Sequence, residues 1–354
     1  MSFVDVNARY EEWLRTACNV DEDDLARKHQ RMTKSPFVFL RATFFRWAHS
    51  VATAAPEVLS APPLLCLGDA HLENFGTWRD AEGRLVWGLN DFDDAAVIPY
   101  ASDLVRLAVS VRLAAELNLG NRDASEAILK GYASGLRGPN PPLLDEKEVW
   151  MRDYVATSDE DRISFWAEVD SYPDIHPPDD AKTALTRHLP SGVPIERFAK
   201  RSKGGGSLGR PRYIVVASWR GGRVVREAKA LVASGWDWAH GQLGNRHRFM
   251  DAATATTRAP DPFLDVDGSF ILRRVAADTR KVERTADFDR KLDGKLLRAM
   301  GFELGTFHSS SVGTVDAILQ DLEGRPAGWL NASAKAVVSV VEADFEDWSI
   351  SAGL

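Results

Sequence analysis

The apolar positions of the chain predict helices first and short strands afterwards. Over residues 10–53 they recur at the spacing of amphipathic helices, and Pro36 marks a break between two helices, because the residue before a proline disfavours helical backbone. Two short apolar runs follow, at 63–67 and 84–90, and each leads into a polar segment. This alternation predicts strand, loop, strand, loop. A further amphipathic helix is predicted over 104–117.

The pattern changes again after this helix. Prolines are frequent in 137–193, which indicates a linker, a lid or a helical insertion. Residues 212–225 then contain two β-branched runs separated by a pair of glycines, the signal of a β-hairpin, and 270–275 is predicted to be another strand. The remainder, 293–348, is mostly helical in pattern. The chain is therefore predicted to belong to the α+β class.

Composition narrows the class of protein. Of 354 residues, 44% are hydrophobic and 27% are charged, as in ordinary soluble globular proteins. The formal net charge of −7 offers no general attraction for nucleic acid or for an anionic membrane, and no basic run stands out. Two cysteines are too few for a disulfide framework, and neither a leader pattern nor an unbroken apolar span is visible. We therefore expect a cytoplasmic protein that binds neither nucleic acid nor membranes, and its oligomeric state stays open.

Carboxylates crowd the loop that follows the second apolar run. Asp91, Asp93 and Asp94 lie within four positions, and the loop after the first run adds further acids within 68–76. Two like charges 4 Å apart repel by about 4 kcal/mol at an effective dielectric constant of about 20. A partly buried cluster therefore favours either a raised pKa or a bound hard cation such as Mg²⁺. The alternative is that these acids cap helices and face water, which is the commoner fate of a single aspartate.

The spacing of these polar residues points to phosphate chemistry. Asp69 is followed five residues later by Asn74, and the next predicted strand leads directly to Asp91. Phosphoryl transfer from a nucleotide needs a carboxylate that orients the attacking hydroxyl, an amide oxygen for a metal ion, and a carboxylate between metal and phosphates. The three residues supply these groups in that order.

At this point the segments 68–74 and 91–94 resemble the catalytic and metal-binding segments of the protein-kinase-like superfamily, especially its aminoglycoside phosphotransferase and choline kinase branch. The resemblance implies a catalytic base, two metal ligands and a buried aspartate that braces the catalytic loop. In that order these residues are Asp69, Asn74, Asp91 and Asp103. We count Asp93 with the metal ligands and His71 among the supporting residues. Leu67 stands where the superfamily usually has a histidine.

A glycine-rich segment is the second motif. Gly204, Gly206 and Gly209 form a G-x-G-x-x-G pattern that also contains Ser207, although a flexible linker could show the same pattern. A dinucleotide-binding fold would place a helix after it, whereas here a predicted strand follows. This order resembles the glycine-rich turn that covers nucleotide phosphates in kinases. We therefore expect these four residues to bind the phosphates of ATP or GTP.

A lysine completes the resemblance. Lys229 lies at the end of the second strand of the predicted hairpin, where it resembles the kinase lysine that pairs with the α and β phosphates. A solvated surface lysine is the alternative. The acidic partner of such a lysine is harder to assign. Asp251 is the tentative choice, and Glu227 is a weaker one.

The order of the motifs is unusual for a kinase. The glycine-rich segment and the lysine come more than 100 residues after the catalytic loop, which suggests a circular permutation. The same order is similar to an uncharacterised bacterial family assigned to the kinase-like superfamily. The resemblance implies a two-lobed α+β fold with a helical large lobe and a small antiparallel β lobe. The predicted parts are 1–136 for the catalytic loop and metal site, 137–199 for the linker, lid or insertion, 200–285 for the small lobe, and 286–354 for the last helices of the large lobe.

The leading hypothesis is a phosphotransferase that uses Mg²⁺ and ATP or GTP on a small-molecule hydroxyl or amine. Only twelve positions separate Asp91 from Asp103, which leaves no room for the long segment that docks peptides in protein kinases. The acidic residues suggest a cationic acceptor, such as an amino alcohol or an aminoglycoside. Three alternatives remain open. They are a metal-dependent hydrolase built on Asp69, His71, Glu73 and Asp91, a nucleotide-binding pseudokinase, and a nucleotidyltransferase.

Overall fold

The computed structural model describes residues 1–114, 119–155, 157–281 and 292–353. The α+β class predicted from the sequence is confirmed, since helices and small antiparallel sheets make up the fold. The helices are α1 Phe3–Ala17, α2 Glu22–Met32, α3 Pro36–Ala42, α4 Phe44–Ala54, α5 Ala101–Leu113, α6 Asn121–Arg137, α7 Arg152–Val155, α8 Asp159–Ser171, α9 Asp179–Arg187, α10 Gly235–Ala239, α11 Phe249–Ala253, α12 Gly294–His308, α13 Val315–Gly324 and α14 Trp329–Ser351. The strands are β1 Pro63–Cys66, β2 Phe75–Arg79, β3 Leu85–Leu89, β4 Ala96–Pro99, β5 Ile195–Lys200, β6 Arg212–Trp219, β7 Gly222–Ala230, β8 Asp265–Asp267 and β9 Phe270–Val275.

The largest sheet has five antiparallel strands in the order β5-β6-β7-β9-β8. Its central hairpin, β6 and β7, pairs Trp219 with Gly222, so that the turn consists of Arg220 and Gly221. Both turn residues have positive φ, 48° and 85°, which is the requirement of the tight hairpin turn whose twist matches that of the strands. The hairpin predicted from the sequence is therefore present, with its turn one residue earlier than the glycine pair.

Two helices from the proline-rich segment cover opposite faces of this sheet. Side chains of α9 pack with Val215 and Leu272 on one face, and side chains of α8 pack with Ile214 and Val216 on the other. Successive residues of β6 alternate between the faces, as the period of a strand requires. Of the three possibilities for 137–199, these contacts favour a helical insertion over a flexible linker.

The other helices share the main core with the strands β1 to β4. Helices α6 and α12 approach so closely that glycines are needed at their contact. A Cβ added to Gly131 would lie 1.9 Å from the carbonyl oxygen of Arg298, and one added to Gly305 would lie 2.2 Å from that of Tyr132. This packing brings the end of α12 against the start of α5.

Two of the predicted boundaries need correction, and two others lie outside the described residues. Residues 10–53 contain parts of four helices, α1 to α4, instead of two, because the chain is non-helical at 18–21, between α1 and α2, and again at Thr43, between α3 and α4. Helix α5 begins at Ala101, and the end of the predicted helix, at 115–117, lies outside the described residues. The predicted boundary between 285 and 286 also lies outside them. None of the helices in the described part of the chain combines the length and the apolar character that a membrane crossing requires.

Candidate active site

The predicted catalytic loop, residues 67–74, follows β1 and ends in a short 3₁₀ turn at Leu72–Asn74. Gly68 begins it with a positive φ of 81°, and a Cβ at this position would lie 2.3 Å from the carbonyl oxygen of Asp94. A glycine is therefore required both by the backbone conformation and by the close approach of the second acidic loop. The contact places the two loops predicted to carry the chemistry side by side.

Asp103 holds this loop from beneath. Its two carboxylate oxygens accept hydrogen bonds from the backbone N–H groups of Leu67 and Gly68, at 2.8 and 2.9 Å, and His308 Nε2 lies 3.1 Å from one of them. His308 is in turn 2.8 Å from the hydroxyl of Tyr132 through Nδ1. Asp103 and His308 are fully buried. The geometry is that of the loop-bracing aspartate implied by the resemblance, and His308 is a partner that the sequence did not indicate.

Asp69 lies at the cleft surface against a buried arginine. Arg106 Nε is 2.7 Å from Asp69 Oδ1, and Arg106 Nη2 also donates to the carbonyl oxygen of Leu40 at 2.8 Å. The guanidinium lies over the rings of Phe44 and Trp47, at 5.0 and 5.2 Å. Burial raises the pKa of Asp69, and Arg106 opposes this rise. Arg106 therefore fixes the orientation of the carboxylate while the second oxygen, Oδ2, remains available.

His71 and Asn74 flank this carboxylate. His71 Nε2 is 3.7 Å from Asp69 Oδ2, and its Nδ1 accepts the N–H of Glu73 at 3.2 Å. Burial lowers the pKa of His71 well below its usual value, which favours the neutral imidazole. Asn74 Nδ2 donates to the carbonyl oxygen of Asp69 at 2.7 Å. Asn74 Oδ1 is buried and has no hydrogen-bond partner among the described residues, and the same is true of Asn90 Oδ1.

Asp91 is held between two lysines. Lys281 Nζ lies 2.6 Å from Asp91 Oδ2, and Lys229 Nζ lies 3.9 Å from Oδ1. Although burial acts to raise it, the pKa of Asp91 is held well below its usual range by Lys281 and Lys229, so the carboxylate is ionised. Lys281 comes from the segment after β9, and no motif of the sequence indicates its contact with Asp91.

Lys229 makes its shortest contact with Asp93, which also accepts from Arg210 Nη1 at 3.2 Å. Burial lowers the pKa of Lys229 to about 8. The neighbouring Asp94 accepts the N–H of Gly235 at 2.7 Å, and burial raises its pKa to about 6. Asp91 and Asp93 therefore share Lys229, and Asp94 has a separate donor in the backbone of Gly235.

The choice of Asp251 as the partner of Lys229 is wrong. Asp251 forms ion pairs with Arg246 at 2.6 Å and Arg248 at 3.1 Å, because these arginines lie immediately before it in the chain. Glu227, the weaker choice, is also engaged elsewhere. It is fully buried among three arginines that hold its pKa well below the usual value, namely Arg273, Arg201 and Arg212.

The glycine-rich segment is the loop between the antiparallel strands β5 and β6. Gly204 and Gly209 have positive φ values of 101° and 94°, so both use backbone conformations that other residues rarely adopt. Gly206 is needed for a different reason, since a Cβ there would lie 2.4 Å from the carbonyl oxygen of Arg41. Ser207 Oγ accepts a hydrogen bond from Arg212. The loop therefore connects two neighbouring antiparallel strands, and the second of them is the strand predicted to follow it.

The catalytic loop, the acidic loop and the glycine-rich loop open into one cleft of about 810 Å³. The predicted residues on its surface are Asp69, His71, Asn74, Asp91, Asp93, Gly204, Gly206 and Ser207. Lys229 is buried and is not part of the lining, but its ammonium contacts Asp93, which is. Gly209 and Asp103 also lie outside the lining, and Asp103 acts only through the catalytic loop.

The charge of the cleft differs from that of the whole chain. Twelve lysine and arginine side chains line it, namely Lys28, Arg31, Lys34, Arg41, Arg201, Lys203, Arg210, Arg212, Arg273, Arg274, Arg280 and Lys281. The described residues contribute only seven aspartates and glutamates to the same lining. An acidic protein thus carries a cationic cleft, which suits a polyanionic ligand. These cations are spread over some 250 positions, so no basic run could reveal them in the sequence.

Two oxygens of this lining are of the kind that bind Mg²⁺ in proteins. Asn74 Oδ1 is a buried oxygen without a donor, and Asp91 is an ionised carboxylate in the same lining. Mg²⁺ is commonly held by one or two carboxylates together with the phosphates of the substrate. Among the described residues, one group of histidine, cysteine and acidic side chains brings three possible ligand atoms within 4.8 Å of one another. It consists of Cys66, Asp103 and His308, which are buried and lie outside the cleft lining.

Comparison with known proteins covers part of the chain. Searches of curated proteins and of solved structures find no match. One family model matches residues 20–138 of the chain. This range includes the predicted catalytic loop, the acidic segment 91–94 and Asp103, but neither the glycine-rich loop nor Lys229. Over residues 20–138 the chain is similar to the bacterial family described as "Uncharacterized protein conserved in bacteria (DUF2252)".

Proposed function

We propose that the protein transfers a phosphoryl group from ATP or GTP to a small-molecule acceptor, with Mg²⁺ as the metal. The observation that carries the proposal is the meeting of Asp69, Asn74 and Asp91 with the glycine-rich loop in one cationic cleft. The loop and the acids are more than 100 residues apart in the sequence. Phosphoryl transfer relies on positioning and on stabilisation of negative charge, and this cleft offers groups for both.

Each residue has a role in the proposed reaction. Asp69 Oδ2 accepts the proton of the acceptor hydroxyl or amine as its oxygen or nitrogen attacks the γ-phosphorus. The new bond to phosphorus forms while the bond between the γ-phosphorus and the β–γ bridging oxygen breaks, and the nucleoside diphosphate leaves with that oxygen. Bound Mg²⁺, held by Asn74 and Asp91, supplies positive charge for the phosphates. Arg106 keeps Asp69 in position throughout.

The separation of the acids favours this proposal over a metal-dependent hydrolase. Asp69 is paired with Arg106, Asp91 with Lys281, and Asp93 with Lys229. A hydrolase with two metal ions needs carboxylates that converge on the ions, whose separation is about 3.5–4 Å. A cationic cleft in which each of these acids already contacts a lysine or arginine is better suited to a nucleotide.

Lys229→Met is expected to weaken ATP binding about 10- to 100-fold, since a hydrogen bond to a charged group contributes about 1.5–3 kcal/mol. Methionine fills a similar volume, and Asp93 keeps Arg210 as a partner at 3.2 Å, so the fold should persist. Isothermal titration calorimetry with Mg·ATP measures the change. Lys182→Met on α9 is the matched control, because this exposed lysine lies outside the cleft lining. Equal affinities for wild type and Lys229→Met would reduce Lys229 to a structural partner of Asp93.

A further inference from the structure

The helices α2 and α3, together with the residues between them, contribute an unusual set of side chains to the cleft. The charged members of the lining from 22–42 are Lys28, Arg31, Lys34 and Arg41, all of them cations. Acids are present in the same stretch, at the start of α2, but they do not reach the lining. This part of the chain therefore presents only positive charge to the cleft.

Lys28 is the most informative of the four. Its side chain is 3% exposed and lines the cleft. Its ammonium lies 5.8 Å from the centre of the Tyr10 ring and 5.6 Å from that of Phe45. Within the described parts of the chain, no carboxylate comes within ion-pair distance of Lys28 and no hydrogen-bond acceptor is assigned to it. The other buried cations among the described residues have such a partner, as Arg106 has Asp69 and Lys229 has Asp93.

A buried ammonium without an anion is costly, because it has lost water and gained no equivalent partner. The effect is visible in the pKa of Lys28, which burial lowers to about 8. Arg210 lowers this pKa further, while the acids that face Lys28, namely Glu11, Asp94 and Asp69, act in the opposite direction from a distance. Buried ionisable groups with such shifts are common in functional sites. A bound anion would supply the missing partner.

Arg41 lies next to the loop that carries the proposed base, Asp69. Its Nη1 lies 2.5 Å from Glu73 Oε2 in the catalytic loop, while its buried Nε has no hydrogen-bond partner among the described residues. A Cβ on Gly205 would lie 3.7 Å from the Arg41 guanidinium carbon, so the side chain also borders the glycine-rich loop. The preceding residue, Leu40, is tied to Asp69 through Arg106. Arg41 thus lies between the glycine-rich loop and the loop of the proposed base, and Asp69 is among the acids whose charge acts on Lys28.

We propose that Lys28 and Arg41 form a subsite for an oxyanion of the second substrate, so that the phosphoryl acceptor is an anionic molecule that carries a phosphate or carboxylate group. This inference rests on the proposed function, because it places the anion beside the residue that orients the acceptor. It is the opposite of the cationic acceptor suggested by the acidic residues of the sequence. Lysine offers a point charge and arginine a planar fork of donors, and both bind oxyanions well.

The test uses the full chain saturated with Mg²⁺ and a non-hydrolysable ATP analogue, which occupies the sites for the nucleotide phosphates. Inorganic phosphate and acetate are then titrated in separate calorimetric experiments, and the tighter of the two identifies the oxyanion. Lys28→Met is expected to weaken the tighter anion at least tenfold and to leave the affinity for the ATP analogue unchanged. Lys295→Met is the matched control, because its ammonium also lies over an aromatic ring, 3.9 Å from the centre of Trp150, and is absent from the cleft lining.

The outcomes separate this inference from the proposed function. If the analogue binds but Lys28→Met changes neither anion affinity, the subsite is wrong and Lys28 is a packing residue. If Lys28→Met weakens ATP and spares ADP, Lys28 contacts the γ-phosphate and the assignment to the acceptor is wrong. If the analogue fails to bind while phosphate still binds in a Lys28-dependent manner, Lys28 belongs to an anion site, but the proposed function falls and with it the assignment of that anion to a phosphoryl acceptor.

Discussion

Asp103→Ala is expected to lower the free energy of unfolding by about 3–5 kcal/mol, the usual cost of removing one partner from a buried charged network. The carboxylate accepts two backbone N–H groups of the catalytic loop, from Leu67 and Gly68, and contacts His308. All of these groups are buried, so water cannot replace the lost acceptor. Denaturant unfolding followed by circular dichroism measures the change.

Two further variants make this result specific. Asp103→Asn keeps one acceptor oxygen, so its free energy of unfolding should fall by less than that of Asp103→Ala. This variant can still be measured if the alanine variant does not fold. Asp123→Ala is the control, because Asp123 also lies in the first turn of a helix, α6, but is exposed. Its loss should stay below about 1 kcal/mol, the range of helix-dipole effects at the surface. Equal losses for Asp103→Ala and Asp123→Ala would mean that Asp103 only stabilises its helix.

Asp69→Asn is expected to reduce phosphoryl transfer about 100- to 10,000-fold, the usual contribution of a general base. Asparagine has nearly the same shape but cannot take the proton of the acceptor. Because Arg106 keeps its hydrogen bond to Leu40, the loop should retain its position. ADP formation from Mg·ATP measures the rate, with water as the acceptor until another is known, and calorimetry should show ATP affinity within about threefold of wild type.

The control for this prediction is Asp161→Asn. Asp161 also lines the cleft, but it lies on α8 and pairs with Arg280. We expect its rate of ADP formation to stay close to that of wild type. An Asp69→Asn variant with full activity would remove Asp69 from the chemistry, and the acid that replaces it would have to be sought among the other carboxylates of the lining.

Local chemistry made part of this site predictable. The distance of five residues between Asp69 and Asn74 fits one tight turn, and the structure shows that turn closed by a hydrogen bond from Asn74 to the Asp69 carbonyl. The hairpin of β6 and β7 follows from a turn that tolerates positive φ. The position of Asp103 near the loop followed from the resemblance to kinases.

The unpredicted parts of the site depend on contacts between distant segments. Arg106, Lys281 and Lys28 reach the cleft from three separate elements, and no local pattern marks them. Asp251 was misassigned because the neighbouring arginines compete for it, and sequence order alone cannot show which cation prevails. The prolines of 137–193 left a linker, a lid and a helical insertion as open interpretations, because the contacts of α8 and α9 with the two faces of the sheet come from distant strands.

The most direct test of the central claim is thermal unfolding of wild type and Asp91→Asn with ATP, in the presence and absence of Mg²⁺. A ligand at 100 times its dissociation constant stabilises the folded state by about 2.7 kcal/mol. The proposal predicts that ATP raises the wild-type midpoint, that Mg²⁺ increases this shift, and that Asp91→Asn removes the metal-dependent part. The opposite result, in which neither ATP nor GTP moves the wild-type midpoint with or without Mg²⁺, would contradict a nucleotide-dependent phosphotransferase.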